Sequence, residues 1–231
     1  MRLAPLALLC CATACTGCSD NPTTPDARVD AAIDGDPGPC DSGQHFVTGE
    51  LVDLDSTAGQ FLGVFNARLT AEGTPPRTAT TAPNGRFELC APAAPPITLD
   101  VDAPGDYLDG KMYLEAMEPD ARPLSFRAFS AARASMLYAF DPTRAHVLVY
   151  LAGDRSDLSL DRPHAPPLAG SDDGTPGTVT WAAGTSGRYV LFPNVDASSP
   201  TATLGGDLSG PHTIPVAAGQ LTLVAISFFF L

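Results

Sequence analysis

The chain is predicted to be all-β: two β-sandwiches in tandem, with one short helix between them. Three observations predict this. From residue 45 onward, short runs rich in Val, Leu, Phe and Thr are bounded by Gly, Pro, Asn or Asp, the texture of strands and turns. HFVTGELVDL, at 45–54, alternates apolar with polar residues, the period of a half-buried strand. GRFEL at 85–89 is echoed by GRYVL at 187–191, each after a turn residue, Asn84 or Ser186. That echo favours two related sandwiches over one larger one.

The elements follow in order. FLGVFNARLTAEG, RTATTA, GRFELCA, ITLDVDA and KMYLEAM read as strands of the first sandwich. Asn84-Gly85 is the strongest short hairpin signal in the chain. SFRAFSAARASMLYAF, at 125–140, breaks the pattern with Ala, Arg, Met and Leu, all good helix formers. It is read as a helix within a helical linker, 119–141. AHVLVYLAG is an apolar strand, and the Pro-, Gly- and Asp-rich stretch 153–177 reads as a long loop. TVTWAAG, GRYVLFPNV, TATLGGDL, HTIPVAA and QLTLVAISFFFL return to strands and complete the second sandwich, 142–231. The closing SFFFL is too short for a membrane helix and reads as part of a buried last strand.

The N-terminus carries four cysteines in its first eighteen residues. Arg2 followed by the apolar run LAPLALLCCATA is the pattern of a secretion signal. It is too short to span a membrane, which takes about 20 residues. Thr16, Gly17 and Cys18 resemble the bacterial lipobox, in which a small residue precedes a lipidated cysteine. The expectation is a signal peptide at 1–17 and a lipid anchor on Cys18, with Cys15 as the alternative register. An ordinary signal peptide with incidental cysteines is the competing account. Residues 18–43 form an acidic, Pro-rich segment with few large apolar side chains. It is expected to be a disordered tether, because it cannot bury enough surface to offset its ordering entropy. Localisation is therefore expected at the bacterial cell envelope. Ser19 points to the outer membrane, by analogy with known lipoproteins. Cys40 and Cys90 are expected to form a disulfide in that oxidising setting, buried free thiols being the alternative.

The 231 residues carry 13 cations and 26 acids, a net charge of −13. Such a chain repels phosphate backbones, so a nucleic-acid partner is not expected. His45, His146, His164 and His212 stand in no metal-binding spacing, and no nucleophile elbow or phosphate loop occurs. No catalytic residue, metal or cofactor is expected, and the chain is not read as an enzyme. The rival enzyme reading would need His146 or His164 beside acids of the 153–177 stretch. Asp100, Asp102, Asp106 and Asp109 read as a solvated loop rather than a calcium site. Trp181 shares a strand face with Val179 and reads as core, with stacking on a ligand as the alternative role.

VTGELVDL, RTATTAPNGRFELCAP and ITLDVDAPGDY together resemble the carboxypeptidase regulatory-like domain. Gly49, Asp53, Thr81, Asn84, Gly85, Phe87, Leu89 and Tyr107 stand where that family has its motif residues. The resemblance covers 44–118 and implies a transthyretin/Ig-like seven-stranded sandwich without catalytic residues. The second half, with Gly187 and Tyr189 in its GRYVL run, reads as a more divergent copy. Members are accessory modules of secreted or surface proteins. The resemblance therefore implies a binding or scaffolding role toward an envelope protein or glycan, with a carbohydrate-binding module as the alternative.

Overall fold

A strand that is apolar on both faces has to be buried between two layers. Leu221–Ile226, LTLVAI, is such a strand, and all six residues are buried. The computed structural model describes residues 40–57, 60–73, 75–94, 96–115, 124–155, 157–171, 179–208 and 210–226, which belong to one compact unit. The expected anchor at Cys18 or Cys15, the segment 18–39 and SFFFL beyond Ile226 lie outside the described residues.

In chain order the strands begin with β1 (Gln44–Asp53), β2 (Arg68–Ala71), β3 (Arg77–Thr80), β4 (Arg86–Pro92), β5 (Ile97–Asp102), β6 (Gly110–Leu114) and β7 (Leu124–Ala128). Helix α1 (Ala131–Leu137) follows. Then come β8 (Ala145–Arg155), β9 (Ser159–Leu160), β10 (Leu168–Ser171), β11 (Thr180–Ala183), β12 (Gly187–Val195), β13 (Thr201–Gly205), β14 (His212–Pro215) and β15 (Leu221–Ile226). The fold is all-β and sandwich-like, with three sheets among the described residues. A nine-stranded sheet, β11-β10-β12-β8-β15-β6-β5-β2-β3, is accompanied by two three-stranded sheets, β4-β1-β7 and β14-β13-β9.

The side-chain period of two sorts the central strands between two cores. On β15, Leu221, Leu223 and Ala225 enter the core shared with β4-β1-β7. Val224 and Ile226 enter the core shared with β14-β13-β9. The same split separates Leu148 and Leu191 from Val147, Val149, Val190 and Phe192 on β8 and β12. The two expected sandwiches therefore share their middle sheet. The last strand joins them, pairing in parallel with β6 of the first half and β8 of the second. GRFEL and GRYVL do not occupy equivalent places. The first begins an edge strand of a small sheet, and the second lies inside the large one.

Three further expectations are corrected. The predicted helical linker 119–141 contains β7 instead, which pairs in parallel with β1, and among its described residues only 131–137 are α-helical. Sheet pairing and burial of Phe126 and Ala128 outweigh the helix propensity of the segment. Ser130 caps α1, accepting from Arg133 N at 3.1 Å. The stretch 153–177 is not one loop: it holds the end of β8, then β9 and β10. The Asn84-Gly85 turn closes no hairpin. It carries the chain from β3, at the edge of the large sheet, to β4, at the edge of a small one. Gly85 adopts φ +76°, and a Cβ there would lie 2.1 Å from the Leu51 carbonyl oxygen, so glycine is required on two counts.

The expected disulfide is present. Cys40 and Cys90 are bonded, with Cα atoms 5.5 Å apart and a sequence separation of 50. A loop of that length contributes roughly 4 kcal/mol in the chain-entropy account.

Gly110 marks the seam between the sequence halves. A Cβ there would stand 1.8 Å from the Leu221 carbonyl oxygen, a backbone atom that cannot yield without parting β6 from β15. Gly110→Ala is expected to cost about 2 kcal/mol or more. Leu223→Ala and Val224→Ala face different cores, yet each should shift one common unfolding transition, by about 2–4 kcal/mol. Urea unfolding followed by circular dichroism and by Trp181 fluorescence checks this. Two separable transitions would contradict the shared sheet.

Candidate binding surface

The connection from β1 to β2, described at 54–57 and 60–67, is short of regular structure there but held at many points. The Arg127 guanidinium, only 7% exposed, reaches across from β7. Its Nη1 donates to the carbonyl of Leu54 at 2.8 Å and to that of Ser56, and the Arg127 Cζ lies 4.4 Å from the centre of the Tyr189 ring. From α1, Arg133 grips the Asp55 carboxylate with two hydrogen bonds of 2.8 and 2.7 Å, the fork geometry that arginine favours. Asp55 N donates to Asp53 Oδ1 at 2.8 Å. Ser56 Oγ accepts from Leu62 N at 3.0 Å. At the far end the buried Thr81 hydroxyl donates to Val64 O at 2.7 Å and accepts from Ala67 N at 2.8 Å.

This framework holds two large apolar side chains in solvent. Phe61 is 49% exposed and Phe65 57%. Large exposed aromatics on a pinned loop are the composition of an interaction hot spot, and pinning removes the ordering cost of binding. The next residue, Asn66, has φ +66°, and with Arg68, Thr80, Asp102, Ala103 and Pro104 it lines an open cleft of about 340 Å³. Arg68 and Asp102 are direct cross-strand neighbours, yet no ion pair joins them. Sequence reading took Phe61 and Phe65 for strand residues. Arg127 and Arg133, which hold residues 54–56 of the same loop, come from more than seventy positions beyond them and left no local signal.

The motif residues of the first half serve the same framework. Gly49 pairs with Phe87 across β1 and β4, and Phe87 is buried 6.4 Å from the Phe126 ring. Asp53 accepts from the Tyr107 hydroxyl at 2.7 Å. Burial first, then this carboxylate, push the Tyr107 hydroxyl well above its ordinary pKa, so it stays a donor. In the second half Gly187 opens β12 and Tyr189 is buried against Tyr150 and Arg127. Trp181 is half-buried and packs on the first core, its six-membered ring lying over Gly170. Trp181, Tyr150 and Tyr189 therefore do not make one open stacking face.

The histidines are dispersed. His45 is exposed. His164 packs edge-on against Phe192. His146 is fully buried, its Nδ1 facing the Tyr138 hydroxyl at 2.9 Å and Asn194 N at 3.3 Å. Sequence reading missed one pair, His212 Nδ1 and Glu115 Oε1 at 2.5 Å, brought together from β14 and the residue after β6. Asp100 pairs with Lys111, and Asp109 accepts from Ala103 N at 2.8 Å. No group of three or more metal-ligating side chains occurs among the described residues.

Replacing Arg133 by Ala is expected to free Asp55 and raise amide exchange across 54–66. The cost to global stability should be about 1–2 kcal/mol, because the pair is partly exposed. Hydrogen exchange of wild type and variant at neutral pH checks this.

No protein-family model matches the chain, and no curated protein is similar to it. Among solved structures, the Bacillus anthracis TIE protein aligns over 80% of this chain, with a TM-score of 0.29 and 8% identity. The chain spans 34% of that structure's length. A score of that size does not establish a shared fold.

Proposed function

We propose that the chain is a non-enzymatic binding or scaffolding module of the bacterial cell envelope, carried on a lipid anchor at Cys18. One observation carries the binding part: the pinned 54–67 loop that holds Phe61 and Phe65 in solvent. Its partner is an envelope component. The likeness of residues 44–118 to carboxypeptidase regulatory-like modules, which are accessory modules on surface proteins, supports the same reading. The location rests on the N-terminal signal pattern, and the Cys40–Cys90 disulfide suits an oxidising compartment.

Co-sedimentation of an unanchored chain (Cys15→Ala, Cys18→Ala) with isolated cell walls and with outer-membrane vesicles tests the surface. Phe61→Ser with Phe65→Ser should lower the bound fraction at least tenfold, a loss of about 1.4 kcal/mol. The melting temperature should hardly change, because both side chains are exposed. Undiminished binding would remove the loop from the reading. The intact mass of membrane-extracted protein tests the anchor. A chain beginning at Cys18 and bearing acyl groups is expected, and Cys18→Ala should abolish it.

A second reading, carbohydrate binding, is favoured by the cleft beside the same loop. Asn66, Arg68, Thr80 and Asp102 place donors and acceptors together, with one cation and one carboxylate in net balance. A neutral saccharide suits that set better than an anion, given the net charge of −13. Calorimetric titration with cellotetraose, maltotetraose and chitotetraose, repeated on Arg68→Ala, separates this reading from the first.

A further inference from the structure

We infer that His146 is an acid-sensitive latch on the loop that presents Phe61 and Phe65, so that protonating its ring loosens α1 and, through α1, the loop. This rests on the reading of that loop as the binding surface.

The latch is built from four contacts. The His146 ring is stacked on Phe140, with centroids 4.9 Å apart, and meets Phe129 edge-on at 6.4 Å. Its Nδ1 lies 2.9 Å from the Tyr138 hydroxyl and 3.3 Å from Asn194 N. A backbone N–H can only donate, so Nδ1 must be the acceptor and the ring proton sits on Nε2. Nε2 is buried and meets no hydrogen-bond partner among the described residues. Burial holds the Tyr138 hydroxyl far above its ordinary pKa, so it remains a donor toward Nδ1. A second proton on the ring would therefore face the Asn194 N–H donor to donor and force the Tyr138 hydroxyl to turn. It would also place a charge in an apolar pocket.

Few groups can compensate for that charge. From the α1–β8 connection come Tyr138, Asp141 and Arg144. The Asp141 carboxylate is already engaged by Thr143 N and Oγ1, at 2.9 and 2.7 Å. Asn194 of β12 and Phe129 before α1 are uncharged, as is Gln220, whose carbonyl accepts from His146 N at 2.9 Å. Burial accordingly lowers the His146 pKa from 6.5 to about 4, against a smaller opposing pull from Asp141.

The mechanical path is short. Tyr138 is the C-cap of α1, its N–H donating to Ala134 O at 3.0 Å. One turn earlier on the helix, Arg133 holds Asp55. A state in which Tyr138 has left His146 frees the helix end that carries this grip.

The sign follows from linkage. The folded pKa lies below that of a free imidazole, so the closed state is fully favoured above pH 6.5 and loses its advantage as the pH falls toward about 4. Relative to pH 8, the opened population should rise about 30-fold at pH 5 and go on rising until the pH falls below about 4.

Amide hydrogen exchange of the full chain at pH 8 and pH 5, normalised to intrinsic rates, tests this. In wild type, peptides covering 131–144 and 54–66 should open about 30-fold more at pH 5. His146→Asn keeps an acceptor but cannot be charged, and should abolish the rise. An equal rise in the variant, or one at 131–144 with none at 54–66, overturns the latch. Should His146→Asn fail to fold, the wild-type ring decides by NMR. A Cε1–H resonance unshifted at pH 5 agrees with the latch, and a midpoint near 6.5 in the folded chain overturns it. Exchange is read without any partner. If Phe61→Ser with Phe65→Ser leaves envelope binding intact, the surface reading falls while the latch stands. Exchange insensitive to pH removes the latch alone.

Discussion

The rest of the structure depends on burying the last strand on both faces. Water must be excluded from Leu223 on one side of β15 and from Val224 on the other. Neither sequence half can do this alone, because β15 takes one neighbour from each, β6 and β8. Parallel pairing of this kind is formed by chain segments distant in sequence, and its closure entropy is recovered only when both cores are complete. The first half is thus a sandwich whose middle sheet stays unfinished until β15 is in place beside β6.

Much of the strand content was legible in the sequence, because a half-buried strand alternates and a fully buried one reads as an apolar run. VTGELVDL, ITLDVD and VLVYL declare themselves in this way. Which sheet a strand joins was not legible. Asn84-Gly85 specifies a tight reversal, and a reversal inside one sheet differs from one between two layers only in what packs beyond it. β7 was hidden for a related reason. Ser125, Arg127 and Ala128 have no strong strand preference, and the pairing with β1 that makes them a strand lies outside any local window.

The candidate surface was less legible still. Arg127 and Arg133 hold the start of the loop, at Leu54, Asp55 and Ser56, and an arginine carries no sequence mark that distinguishes a buried clamp from a solvated charge. Trp181, read as core from its alternation with Val179, is only partly buried and packs against the first core from its margin. His146 illustrates the opposite limit. Its sequence neighbours offered no metal-binding spacing and only a rival enzyme role, yet its environment comes from Phe129, Tyr138, Phe140 and Asn194 on three other parts of the fold.

The Cys40–Cys90 bond has one more consequence. Residue 40 is fixed to the middle of β4, opposite Phe46 of β1 in the strand register. A pull arriving along the preceding chain therefore does not peel β1 away from its first residue. The load passes through the sulfurs into β4 and is shared by the hydrogen bonds of two strands. In such a geometry bonds are strained together rather than broken one by one, and the body resists traction from its N-terminal side.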